Sequence, residues 1–340
     1  MRDLVVAGGG PIGLATALYA ARAGLDVVVR EPRSGPIDKA CGEGLMPAAV
    51  ADLDRLGVCP EGRPIAGIRY LDDRHEAHAR FRAGPGRGVR RTTLHAALSA
   101  AVADAGVAVQ PVAVGSVEQR GDHLLVDGEP ARYLVAADGL HSSVRRLVGL
   151  EGRPAVRRRF GLLRHFEVEP WSDFVDVHWA ATGEAYVTPV APRLVGVALL
   201  GSAKLGFEEA LGAHPRLRER LEGAARSRVR GAGPLRQRST RRVAGRVLLV
   251  GDAAGYVDAL TGEGIALGLG QARAAVDAVR AGTPERYEQA WRRMGWRHDL
   301  MTHGLLVATR PAVLRRRIVH AAAGVPWVFS VAVNELARAS

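Results

Sequence analysis

The sequence predicts an α/β fold, in which a parallel sheet covered by helices carries a second, antiparallel sheet. Three observations predict it. Strand-like and helix-like segments alternate over residues 3–30, and a run of strand-like segments without helices fills 160–200. After Arg246 an apolar strand leads again into a Gly/Ala-rich helix. At 340 residues the chain suits two domains, or one large α/β domain with an inserted one, and 47% hydrophobic residues supply a core of that size.

In order along the chain, Asp3–Ala7 is apolar and β-like, Pro11–Ala23 reads as an Ala-rich helix, and Asp26–Arg30 is a second strand. A Gly-rich loop spans Lys39–Pro47, and a helix is expected near Ala48–Leu56. Alternation between Gly67 and Arg82 predicts a hairpin. Thr92–Ala105 is helical by its Ala and Leu content, and Ala108–Ala137 holds several short strands. The second sheet is expected from Phe160–Val168, Val175–Trp179, Glu184–Val190 and Leu194–Leu200. Helix-forming sequence returns at Phe207–Ala225, and the strand Arg246–Val250 is expected to run straight into a long helix. Residues 284–340 read as mostly helical, with breaks at Pro311 and Pro326, since proline lacks the N–H a helix needs.

Composition narrows the partners. The formal net charge is +12, yet Lys39 and Lys204 are the only lysines, and the arginines are scattered rather than gathered on a basic helix. That pattern argues for a solvated basic surface or an anionic small molecule, and against nucleic acid. Cys41 and Cys59 form no metal-spaced cluster, so no metal is expected, and two isolated thiols fit a reducing cytoplasm. No signal peptide is read at the N-terminus. Arg310, Arg315, Arg316 and Arg317 interrupt the apolar C-terminal stretches, so no transmembrane segment is expected. Oligomeric state is left open.

Three segments carry chemistry. The first is Gly8-Gly9-Gly10-Pro11-Ile12-Gly13, with a strand before it, a helix after it, and Glu31 at the end of the second strand. Gly8 permits the tight turn, Gly10 lets a pyrophosphate approach the backbone, and Gly13 lets helix and strand pack closely. The helix start offers N–H groups to phosphate, and Glu31 is placed to accept from ribose hydroxyls. Together these predict a dinucleotide site. The second segment, Val135-Ala136-Ala137-Asp138-Gly139, ends a strand at an Asp-Gly turn, and Ser142 or Ser143 is placed to start a helix. An ordinary capped turn explains it equally well. In the third, Val250-Gly251-Asp252-Ala253-Ala254-Gly255 continues to Thr261-Gly262-Glu263-Gly264-Ile265. The glycines alone serve close helix packing, but packing does not account for the acid.

Taken together, the three segments resemble the flavoprotein aromatic hydroxylase superfamily typified by p-hydroxybenzoate hydroxylase. That superfamily includes the geranylgeranyl reductases and, more distantly, the flavin-dependent halogenases. The likeness runs to about Ala281. It implies a Rossmann-like FAD/NAD(P)-binding domain with an antiparallel-sheet substrate domain. Gly8, Gly10, Pro11, Ile12, Gly13 and Glu31 would hold the ADP half of FAD. Asp252 would contact the ribityl chain, with Gly251, Gly262, Gly264 and Ile265 around it. Asp138, Gly139, Ser142 and Arg145 match the Asp-Gly motif that shapes the FAD site and, in hydroxylases, serves NAD(P)H. Arg91 matches an arginine that reaches toward FAD, with Arg90 as its competitor. On this reading residues 1–64, 88–154 and 241–283 form a discontinuous FAD-binding domain. Residues 65–87 and 155–240 form the substrate domain, and 284–340 a C-terminal helical segment.

The expected function is that of an FAD-dependent oxidoreductase fed by NADPH or NADH. A monooxygenase stands first, hydroxylating or epoxidising a small aromatic or polyketide-like compound through a flavin hydroperoxide. The alternative is a geranylgeranyl reductase-like enzyme acting on isoprenoid double bonds, and a non-catalytic flavin-binding protein is a third class. Lys39-Ala40-Cys41-Gly42-Glu43-Gly44-Leu45 resembles the reductases' cysteine-glycine loop, whereas Tyr186-Val187-Thr188-Pro189 lacks their Trp. Cys41, Tyr186 and His165 are the catalytic candidates. For the histidines and aromatics of the second sheet, including His178 and Trp179, packing competes with any substrate role.

Overall fold

The computed structural model describes residues 1–154, 158–202, 204–259, 262–308, 312–315 and 317–338. An eight-stranded sheet runs in the order Val243–Ala244, Val247–Leu249, Glu129–Ala136, Arg2–Ala7, Val27–Arg30, Ala108–Gln110, and Leu124–Val126 and Val117–Gln119 extend it as a meander. The five strands from Val247–Leu249 to Ala108–Gln110 are parallel. Register alternates sides, as a period of two requires. Leu4 and Val6 pack with Leu14, Leu18, Leu98 and Leu269 on one face, while Val5 and Ala7 pack with Leu134, Val144 and Leu249 on the other.

The second sheet has seven strands, in the order Arg230–Ala232, Phe160–Phe166, Leu194–Gly201, Gly183–Ala191, Phe174–Trp179, Gly67–Leu71, Glu76–Arg80. All neighbours are antiparallel except Phe174–Trp179 and Gly67–Leu71, which pair in parallel with Val175 opposite Ile68. The hairpin at 67–80 therefore joins the second sheet. A small sheet of Gly44–Leu45, Gly86–Gly88 and Arg63–Ile65 lies between the two.

Two expectations change. Phe207–Ala225 is two short helices, Phe207–Leu211 and Pro215–Arg220, because Gly212 ends the first and Pro215 can only open a second. The strand ending at Leu249 meets a single 3₁₀ turn, Gly251–Ala254, and the long helix starts only at Gly264. Gly251, at φ +58°, and Gly255, at φ +123°, bend the chain there. At the C-terminus the helix Glu285–Ala308 runs as expected, and Pro326 opens the helix Pro326–Ala337 at its first turn. Pro311, Arg310, Arg316 and Thr261 lie outside the described residues. Among those described, no single helix is long and apolar enough to cross a membrane; one bent pair, Ile318–Gly324 with Pro326–Ala337, reaches that length and composition only together.

Candidate functional site

The parallel strands end at a common edge, and the three glycine–acid segments meet there around a cavity of about 410 Å³. Gly10, Pro11, Ile12, Arg91, Asp138, Gly139, Gly251, Asp252, Gly262, Gly264 and Ile265 all line it. Gly8 and Gly13 stand behind it and hold the turn. Gly8 has φ +101°, and a Cβ on Gly13 would lie 1.8 Å from the Gly8 carbonyl oxygen, so helix and loop touch only without one. At Gly10 a Cβ would meet nothing within 4 Å, which leaves open space above the helix start. The helix Pro11–Arg22 has neither a side-chain cap nor an acid in its first turn, so its positive end is left for an anionic guest.

Glu31 is buried behind that loop and does not line the cavity. Its carboxylate accepts from the Gly9 N–H (2.8 Å) and from Arg33 Nε (2.7 Å) and Nη2 (2.8 Å). Burial pushes this acid up, but the Arg33 bonds and the Gly9 N–H outweigh it and hold the acid below its ordinary range. A ribose contact at Glu31 therefore shares the carboxylate with Arg33. His95 Nε2 lies 2.9 Å from the Gly9 carbonyl, and burial lowers its affinity for a second proton, so a neutral ring donates there.

At the second segment the capped turn forms, and its acid also faces the cavity. Asp138 Oδ2 accepts from the Ser143 hydroxyl (3.2 Å) and the Val144 N–H (3.1 Å), capping the helix Ser143–Leu147. Its Oδ1 is buried without a partner, and Asp138 lines the cavity. Ser142 accepts from the Arg145 N–H at 2.9 Å. Arg145 itself is fully buried away from the cavity, which corrects the expected cofactor contact to one of support. Its guanidinium donates to Glu151, to the Leu140 carbonyl and to the Ala253 carbonyl, so it ties the second segment to the third.

Asp252 opens onto the cavity yet is ringed by protein, and burial raises its carboxyl against the pull of Arg91, Lys39 and Arg145. Arg91 lines the same space, its Nε without a partner among the described residues, and its backbone N–H donates to Glu43 Oε1 at 2.9 Å. Arg90 does not line it. Sequence reasoning assigned no role to Arg33 and Lys39, two further cations on the cavity wall. Lys39 is pushed below its ordinary range by burial and Arg33, with Asp252 pulling the other way.

The other wall comes from the second sheet, where Ile68, Tyr70, Val175, Val177, Tyr186 and Leu200 present an apolar face. Cys41 and Tyr186 line the cavity; His165 stands one layer back, 2.7 Å from Glu43 Oε2. Burial, Glu184 and Tyr70 push the Tyr186 phenol well up, so it stays neutral. His178 and Trp179 do not line the cavity, and Trp179 packs edge-on against Tyr70. Among the described residues no group of three or more His, Cys, Asp or Glu is placed to hold a metal.

Residues 1–192 match the family described as FAD binding domain. The chain belongs to this FAD-binding family. The site fits the cofactor. An uncapped helix start and three cations suit a pyrophosphate, and the unpartnered Asp138 oxygen and Asp252 suit hydroxyl donors. The chain is 30% identical to a menaquinone reductase of Mycolicibacterium smegmatis, across 92% of this chain and 84% of the relative. It is 28% identical to digeranylgeranylglycerophospholipid reductase 1 of Methanothermobacter thermautotrophicus, across 78% and 74%. Among solved structures, a flavin-dependent brominase superposes with a TM-score of 0.82 at 16% identity, covering 99% of this chain and 93% of the other. A geranylgeranyl bacteriochlorophyll reductase-like protein of Thermoplasma acidophilum superposes at 0.75 with 20% identity, covering 94% and 90%. The FAD-binding chain thus has the p-hydroxybenzoate hydroxylase-like fold and is an FAD-dependent oxidoreductase.

Proposed function

We propose that this enzyme reduces a carbon–carbon double bond in an isoprenoid lipid, with NADPH or NADH as the source of electrons. The observation that carries the reading is the largely apolar wall facing the FAD segments, edged on the substrate side by the Cys41–Glu43 loop. A long hydrocarbon gains about 0.8 kcal/mol per buried CH₂ on such a wall. FAD supplies the hydride in this chemistry, and the protein supplies position, dryness and a proton. The named reductases among the relatives, matched over most of their length, support the same reading.

The monooxygenase expectation rested in part on the missing Trp at Tyr186–Pro189. Here Thr188 Oγ1 donates to the Gly42 carbonyl at 2.7 Å, so that strand is fastened to the cysteine-glycine loop without it. Oxygen insertion into a small aromatic compound is accordingly the second reading.

One experiment separates them. Photoreduced enzyme is mixed with geranylgeraniol under argon, and with oxygen, in a stopped-flow spectrometer. The reductase reading expects anaerobic return of the oxidised flavin spectrum on adding the alkene, with a hydrogenated product, and a changed rate or product in Cys41→Ser. A substrate-dependent spectral transient formed only with oxygen, and an oxygenated product, would replace it with the second reading.

A further inference from the structure

Beside the cavity lies a buried acid–imidazole pair that the sequence did not place together. Glu43 sits on the loop at φ +58°, a left-handed conformation that a non-glycine residue rarely adopts. The turn swings its side chain inward, where it is 1% exposed and faces both the cavity and His165. Room for it is made across the wall, because a Cβ on Gly196 would lie 2.7 Å from Glu43 Oε2. Oε1 accepts from the Arg91 N–H at 2.9 Å, and Oε2 lies 2.7 Å from His165 Nε2.

On the far side of the imidazole an acceptor is available for the second ring nitrogen. Ser227 Oγ accepts from the His165 backbone N–H (3.0 Å) and donates its hydrogen to the Arg228 carbonyl (3.2 Å). With that hydrogen committed, His165 Nδ1, 3.4 Å away, donates to the same oxygen. Nε2 and Glu43 Oε2 then share one further proton, since two bare lone pairs would not approach to 2.7 Å in a buried site.

We propose that the Glu43–His165 pair is the proton donor of the cavity, with Glu43 as the catalytic acid and His165 as the positioning residue that stores its proton. The inference rests on the reductase reading. When one carbon of the double bond takes a hydride, the other takes a proton from Glu43, and the Nε2 proton replaces it there or has already moved across. The pair is left as a carboxylate beside a neutral imidazole, and it regains one proton from water when product leaves. Atoms and charge balance with no further reactant. Arg33, Lys39, Arg91, Asp138 and Asp252 are charged side chains lining the same cavity, and the Arg91 backbone N–H keeps the Glu43 carboxylate in place through the cycle.

The test has one arm that needs no turnover. In ¹⁵N-labelled apoprotein at neutral pH, both ring nitrogens of His165 should show protonated shifts, because on this proposal Nδ1 donates to Ser227 and Nε2 shares its proton with Glu43. In Glu43→Gln, Nε2 should move to the unprotonated position, while FAD titration gives an unchanged affinity. Identical ring shifts in the two proteins overturn the shared proton. In the second arm, anaerobic reoxidation by geranylgeraniol should slow by about 10²-fold or more in Glu43→Gln and recover in part in Glu43→Asp. If wild type reoxidises and Glu43→Gln matches it, the acid assignment fails while the reductase reading stands. If wild type is not reoxidised by the alkene, the reductase reading fails, and the ring shifts alone decide the pair.

Discussion

Arg145 reaches across to Ala253, its Nη1 donating to that carbonyl at 3.1 Å over a gap of 108 residues. The same guanidinium holds the Leu140 carbonyl and Glu151, so one side chain sets the spacing of two cofactor-binding segments it does not itself expose to the cavity. Arg145→Lys keeps the charge but not the planar fork, and leaves at least one buried carbonyl unpaired. A loss of about 1–3 kcal/mol is expected, read as a lowered Tm of the apoprotein, with FAD affinity falling alongside. An unchanged Tm would return Arg145 to the list of cofactor contacts.

Asp252 should act oppositely on apoprotein and holoprotein. Its carboxyl is raised by burial, so the folded apoprotein binds that proton more tightly than the unfolded chain. The stabilising contribution is complete below the ordinary value of 3.8 and is lost as pH rises through the raised one. Asp252→Asn apoprotein should therefore melt higher than wild type at neutral pH and converge with it in acid. The same change should weaken FAD binding about ten- to a hundred-fold, the loss of a charged hydrogen bond worth about 1.5–3 kcal/mol. Calorimetric melts across pH together with FAD titrations check both signs.

Glu31 carries the reverse pH sense. With its carboxyl held low by Arg33 and Gly9, its contribution is present above the ordinary 4.5 and disappears as pH falls through the lowered value. The stability gap between wild type and Glu31→Gln should accordingly close in acid. FAD affinity should fall in the order wild type, Glu31→Ala, Glu31→Arg, since the last places a second cation where Arg33 already stands. Equal affinities in the three proteins would remove Glu31 from the ribose.

Lys39 is pushed down by burial and by Arg33, so it loses its charge at lower pH than a free lysine. FAD affinity should decline as pH climbs from neutral toward about 10, and Lys39→Arg should flatten that decline because arginine stays charged. A Lys39→Met protein with wild-type affinity at neutral pH would show that the cation does not serve the phosphates.

Much of the fold could be read directly because it follows from local rules. Glycines with an acid after a strand have few uses, and Gly8, Gly10, Gly13, Asp138 and Asp252 all fall at the parallel sheet's edge. What escaped reading depends on distant partners. Glu43 and His165 are 122 residues apart, and no periodicity links them. Arg33 and Lys39 are single cations in irregular loops, distinguished only once the cavity closes around them. The parallel pairing of Phe174–Trp179 with Gly67–Leu71 is equally silent, since alternation predicts which face a strand buries and not which strand lies beside it. Pro215 was a readable signal, overridden by the helix-forming residues on either side of it.

The strand order has a consequence for how the protein is made. Arg2–Ala7 is made well before its neighbour on one side, Glu129–Ala136, and the strand leading to Asp252 emerges later still. The glycine turn at Gly8 is thus synthesised long before the acid that completes the crevice. After it comes the helix Gly264–Arg280, where a Cβ on Gly268 would lie 2.5 Å from Ile12 Cδ1, so it seats directly on the first turn of the helix Pro11–Arg22. A nascent chain halted before residue 247 lacks the third glycine–acid segment of the crevice. On this order FAD should bind firmly only once the strand Val247–Leu249 and the helix Gly264–Arg280 have been made, which truncated chains titrated with FAD would show.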